Sequence, residues 1–229
     1  MNLHKLILTK NPCYTAGKKI TVKGIMVHST GANNPNLKRY VGPDDGLLGP
    51  NPNGNHWNRA DANVCVHAFI GKLADGTIAT YQTLPWDHRG WHCGKSGNDT
   101  HISFEICEDG LTDATYFKKV YQEAVELCAY LCRQYNLTAA DILCHSEGYK
   151  KGIASNHADV MHWFPKHGKS MDTFRADVKA LLNAEEKDEP KTIYRVQVGA
   201  YSVRANAERQ LEKVKAAGFT DAFITKVVK

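Results

Sequence analysis

The chain has no apolar run approaching the roughly 18 residues that cross a bilayer, so no transmembrane span is expected. Its opening, Met1 to Lys10, lacks a sustained apolar stretch and a small-residue cleavage site, so no signal peptide is expected there. Proline is sparse and glycine ordinary, 8 and 18 of 229 residues, which excludes a collagen-like or low-complexity chain. Neither sign of charge dominates. The 29 Lys and Arg against 24 Asp and Glu leave +5, a weak pull toward anionic surroundings, and no nucleic-acid-binding role is expected. The seven cysteines are too few and odd in number for a disulfide framework. Several stand in apolar stretches, as in Leu127-Cys128 and Leu143-Cys144, and are expected to be reduced and buried. What is left, 42% hydrophobic and 23% charged, suits one ordinary globular domain with a small appendage.

Hydrophobic periodicity divides the chain. Strands are expected at Lys19–His28, Cys65–Ile70 and Thr77–Thr83, the last two joined as a hairpin by Ala74-Asp75-Gly76. A further strand is expected at Ile102–Cys107, where Ile102, Phe104 and Ile106 alternate with Ser103, Glu105 and Cys107. From Ala114 to Tyr135 the apolar period becomes helical, with Asp113 as the candidate N-cap and Cys128 and Cys132 on one face. Ile142–His145 reads as a buried strand end and Met171–Leu182 as a closing helix. The fold class is therefore α/β, a mixed central β-sheet flanked by helices. The charged run 185–191, closed by Pro190, reads as a linker between a domain at 1–184 and a piece at 192–229. In that piece a strand from Tyr194 to Ala200, a helix at Asn206–Ala217 and a strand at Asp221–Val228 are expected, a β-α-β unit too small to bury a core alone.

Histidine is abundant, 11 residues, and clustered. His28 ends an apolar strand and is followed by Ser-Thr-Gly; His145 repeats this placement in Ile-Leu-Cys-His-Ser-Glu-Gly. Asn156-His157-Ala158-Asp159 adds a carboxylate in a loop. Two imidazoles and one carboxylate with a vacant fourth position make a catalytic zinc set, although iron, nickel and cobalt accept the same donors.

These residues resemble, in order, the type-2 N-acetylmuramoyl-L-alanine amidases, a superfamily that includes phage lysozyme-type amidases and peptidoglycan recognition proteins. Ile25-Met-Val-His28-Ser-Thr-Gly31 resembles its first ligand motif. Val66-His67-Ala68-Phe69-Ile70 resembles its hairpin strand, Trp91-His92-Cys93-Gly94 its Trp-His-Ala-Gly loop, and Ser103-Phe104-Glu105-Ile106 its glutamate strand. The resemblance spans about residues 20–180. It implies Zn2+ held by His28, His145 and Asp159, and Glu105 as the proton-transferring catalytic group. His157 stands where the family carries a catalytic lysine two residues before the last ligand, and as an imidazole it also competes as a ligand. His67 and His92 are expected to line the cleft, the first supporting a ligand by hydrogen bonding and the second touching substrate, with structural roles open for both. Trp57, Trp86 and Trp91 are candidates for stacking on sugar or peptide, or for packing their loops. The family's Asp-Pro-Gly is replaced by Asp159-Val-Met, and His162 follows as a spare imidazole expected near the site.

The implied reaction is hydrolysis of the amide between N-acetylmuramic acid and L-alanine in bacterial peptidoglycan, by an endolysin or an autolysin. A non-catalytic peptidoglycan-binding module and a stem-peptide endopeptidase are the alternatives. Residues 192–229 resemble the first half of a SPOR repeat, a family that binds peptidoglycan glycan strands. With no signal peptide expected, synthesis in the cytoplasm and access to the cell wall after release or holin-type export follow.

Overall fold

The computed structural model describes residues 1–188 and 196–227. Residues 1–188 form one compact unit and the remainder a second. In chain order the first unit holds β1 (Leu3–Lys5), α1 (Pro12–Thr15), β2 (Gly24–Asn33), β3 (Ala68–Lys72), β4 (Ile78–Gln82) and β5 (His101–Glu108). It continues with α2 (Ala114–Tyr135), β6 (Ile142–Cys144), α3 (His145–Lys150) and α4 (Met171–Asp188). The strands make one mixed sheet in the order β1-β4-β3-β5-β2-β6. Only the β3–β4 hairpin is antiparallel; every other pairing is parallel.

The alternation in β5 sorts its side chains onto two cores. Ile102, Phe104 and Ile106 join Ile25, Val27, Ala68 and Ile70 beneath α2, Trp163, Phe164 and Phe174. On the other face Phe69, Tyr81 and Cys107 lie under Leu8, Leu37, Tyr40 and Leu48, contributed by the long connections. The sheet is thus covered on both sides, as parallel sheets must be. Ile106→Val removes one buried methylene and is expected to lower unfolding free energy by about 0.5–1.5 kcal/mol in urea titration, with the slope unchanged.

Several boundaries differ from the sequence pattern. β2 starts at Gly24, not Lys19, because its partners start there: Gly24 pairs with His101 and Ile25 with Ile142. A Cβ at Gly24 would stand 2.6 Å from the Asp141 carbonyl, so the close approach of β2 to the start of β6 demands glycine. β1, three residues beside β4, is too short for any periodicity to reveal. α2 spans the expected residues, and Asp113 Oδ1 accepts from the backbone N–H of Thr115 at 2.8 Å and Tyr116 at 3.0 Å. α4 runs to Asp188, into the segment read as a linker, since Ala184, Glu185, Glu186 and Lys187 all favour helix ahead of Pro190.

In the second unit α5 (Arg204–Ala216) forms where a helix was expected. The two flanking strands do not form among the described residues: 196–200 and 221–227 lie in no strand, and 194, 195 and 228 fall outside them. Val196 and Phe223 are 90% and 73% exposed. Among the described residues neither segment has a neighbouring strand to hydrogen-bond, and a lone strand has nothing to hold it in a ladder.

Candidate active site

The site sits where β2 lies between β5 and β6. His28 is the register partner of Glu105, which sets both side chains on the same face of the sheet. Val27 pairs with Cys144, so the next residue of each strand, His28 and His145, leaves the sheet side by side. Their rings meet edge to face with centroids 4.8 Å apart and their Nδ1 atoms 3.1 Å apart. Asp159, on the loop before Trp163, brings Oδ2 to 2.9 Å from His28 Nδ1 and Oδ1 to 3.6 Å from His145 Nδ1.

These three ligand atoms lie within 4.8 Å of one another. Zinc bonds of about 2.0–2.2 Å give a tetrahedron with edges of about 3.3 Å, close to the separations seen. The far nitrogens are already engaged. His28 Nε2 is 3.0 Å from His92 Nδ1, and His145 Nε2 is 3.2 Å from Ser155 Oγ. With Nε2–H donated outward, both Nδ1 lone pairs face the common point, so the donor set fits a divalent metal.

Electrostatics favour the same states. Burial lowers the pKa of His28 against the opposing pull of Asp159, and burial followed by the charge of His28 puts His92 well below the ordinary value. Burial pushes the Asp159 carboxyl up, but its close contacts with the His145 and His28 imidazoles outweigh it and hold the group well below the usual carboxylate range. Glu105 behaves oppositely: burial, then Asp159 and Glu108, raises its carboxyl well above that range. Its Oε2 is buried without a hydrogen-bond partner.

An open cavity of about 470 Å³ connects these groups. His28, Glu105, His145, His157 and Asp159 all line it, with Trp91, His92 and His162. The His157 ring stacks on His145 with centroids 4.7 Å apart. Trp91 is 45% exposed at the rim, with the Arg89 guanidinium over its ring. Trp57 and Trp86 instead pack inward, Trp57 against Phe69 and Trp86 against His67.

His67 does not line the cavity and bonds to no ligand, contrary to expectation. It is fully buried, its Nδ1 accepts from the Ser103 backbone N–H at 3.0 Å and its Nε2 lies 2.8 Å from the His88 carbonyl. It ties the 84–92 loop to β5, and burial lowers its pKa to about 4. His92, expected to touch substrate, does line the cavity, and its Nδ1 also lies 3.0 Å from His28 Nε2. Two partners carried no sequence signal. Ser155 is one, and Glu108 is the other, its Oε1 2.9 Å from His162 Nε2 and accepting from the Gly31 N–H at 3.1 Å.

Residues 18–163 match the family profile described as N-acetylmuramoyl-L-alanine amidase. The chain belongs to that amidase family. The match contains every cavity residue named above, from His28 to His162. Residues 173–229 match the SPOR domain profile, which begins inside α4. Among solved structures, the hydrolase AmiA of Staphylococcus aureus, in complex with its ligand, aligns with TM-score 0.64 and 17% identity, over 82% of this chain and 86% of that one. PlyL aligns with TM-score 0.54 and 20% identity, over 78% and 96%. The catalytic domain of XlyA aligns with TM-score 0.54 and 23% identity, over 78% and 99%. These likenesses establish that the amidase-family chain shares their fold. No match was found among curated proteins.

Proposed function

We propose that this amidase hydrolyses the bond between the lactyl group of N-acetylmuramic acid and L-alanine in bacterial peptidoglycan, with Zn2+ held by His28, His145 and Asp159. The observation that carries the reading is the convergence of those three ligand atoms in one cavity with Glu105, whose Oε2 is buried without a hydrogen-bond partner. When bound, zinc supplies Lewis-acid polarisation of a carbonyl and makes water a stronger acid.

The chain's own groups do the rest. Glu105, held at a raised pKa by burial, takes the proton of the attacking water at Oε2 and passes it to the leaving amine as the C–N bond breaks. One carboxylate and one free amino group result. His157, stacked on His145 at the cavity wall, directs an N–H at the oxygen that gains charge. His92 fixes the His28 ring and its tautomer. Trp91 offers a flat apolar face at the rim to a sugar or peptide. The SPOR match supports retention on the same polymer, which suits an endolysin or autolysin acting at the wall.

Digestion of purified peptidoglycan followed by mass spectrometry tests the reaction. Free L-alanine amino termini and intact glycan carrying lactyl carboxylates are expected, and chelator is expected to stop their release. New reducing ends, or disaccharide still bearing L-alanine, would replace this reading with a glycosidase or an endopeptidase. His92→Ala is expected to weaken zinc affinity by about 10–100-fold in competition with a chelating dye, while Glu105 stays in place.

A further inference from the structure

Part of the cavity wall is held by hydrogen bonds that do not involve the three metal-ligating side chains. Glu108, the last residue of β5, is buried, its side chain 5% exposed. Its backbone N–H donates to Thr30 Oγ1 at 3.1 Å, and its Oε1 accepts from the Gly31 N–H at 3.1 Å. The same Oε1 lies 2.9 Å from His162 Nε2. A carboxylate only accepts, so Nε2 carries the proton of this contact. In the neutral ring Nδ1 is then a lone-pair acceptor, and among the described residues it forms no hydrogen bond. His162 lines the cavity beside Thr30 and Gly31, with its side chain 31% exposed. Glu108 thus fixes a ring that leaves one acceptor nitrogen free for a ligand.

Charge narrows what that acceptor meets. Glu105 and Asp159 line the same cavity, and among the described residues no Lys or Arg does. A carboxylate brought in by the substrate would find no fixed counter-charge there, and like charges set together in an interface repel. Stem peptides continue from their second residue through its side-chain carboxyl, which leaves the α-carboxyl of that residue either free or amidated. The carboxamide is neutral and offers two N–H donors, whereas the carboxylate offers none. A cavity of about 470 Å³ holds little beyond the groups flanking the cut bond, so this is the first peptide carboxyl it meets.

Given the proposed amide hydrolysis, on which this assignment rests, we propose that His162 is a specificity-determining residue that selects stem peptides with an α-carboxamide on the second residue. His162 Nδ1 accepts an N–H of that carboxamide, and Glu108 holds the ring in the tautomer that can do so. The acidic groups of the cavity turn the free acid away.

Three synthetic N-acetylmuramoyl tripeptides, each L-alanyl-γ-D-glutamyl-L-lysine, test this with the full, zinc-loaded chain. The α-carboxyl of the second residue is a carboxamide in one, a methyl ester in another and a free acid in the third. The ester is neutral like the amide but donates no hydrogen bond, so it separates charge from donor. kcat/KM is expected to favour amide over ester by about 5-fold and amide over acid by about 10-fold or more, chiefly through KM. Glu105→Gln, which lacks the proton-transfer group, is expected to bind the three in the same order by calorimetry, a readout that needs no turnover. His162→Gln, whose amide N–H can still serve Glu108, is expected to erase the gap between amide and ester. A merely structural role would weaken all three substrates alike and keep that gap. Acid handled as well as amide, amide and ester handled alike by the parent, or a gap unchanged in His162→Gln would overturn the proposal. If His162→Gln does not fold, the parent's comparison of amide with ester still decides. The expected order in binding with no cleavage of any tripeptide would overturn the hydrolytic reading while supporting the amide subsite.

Discussion

Glu105→Gln is expected to cut turnover of peptidoglycan by about 10²–10⁴-fold, the range for loss of a positioned proton-transfer group. Bound metal, measured by elemental analysis, is expected to stay at the parent level because the substitution leaves the three ligand atoms untouched. A variant that keeps its activity would remove Glu105 from the chemistry. A second effect has the opposite sign. The parent carboxyl, raised well above its ordinary value of 4.5 by burial, costs nothing while protonated and disfavours folding once it must ionise. Its stabilising protonated state is fully present below that value and is lost as pH rises through the folded pKa. In metal-free protein the glutamine variant is therefore expected to melt higher than the parent at neutral pH, with the gap closing toward acid. Gaining stability while losing turnover marks a group kept for function.

Asp159→Ala is expected to abolish stoichiometric zinc and, with it, activity, a larger loss than the about 100-fold limit expected for His92→Ala. Its effect on metal-free stability runs opposite to that of Glu105. The folded pKa of Asp159 lies below its ordinary value of 3.8, so its contribution is present above that pH and is lost as pH falls through the folded value. Removing it is expected to lower the melting temperature of metal-free protein throughout the neutral range. The deficit is expected to shrink only in acid. Equal melting temperatures at neutral pH would mean that the contacts of Asp159 with His28 and His145 contribute nothing to the fold.

Legibility in the sequence followed locality. α2 was readable from end to end because its cap, its period and its apolar face all lie within one stretch of chain. The faces of β5 were readable for the same reason, since alternation alone assigns Glu105 to one side. Strand starts were not, because Gly24 begins β2 only where His101 and Ile142 stand ready to pair. The convergence of His28, His145 and Asp159 is a property of register and of a loop, and the chain announces it only through motif order. The same blindness left two histidines unsorted: His67 and His92 carry equal sequence signal, yet the first is buried against a loop outside the cavity and the second lines it beside His28. The strands expected at either side of α5 had the right alternation but find no pairing partner among the described residues.

The three convergent atoms belong to residues separated by 117 and 131 positions, carried by β2, by the start of α3 and by a loop. An ion gripped there fastens the middle of the sheet to a distant part of the polypeptide, and the unfolded chain offers it no equivalent grip. Resistance to heat should then climb with the logarithm of free zinc once the site is nearly full, so that a melting curve doubles as a gauge of metal supply.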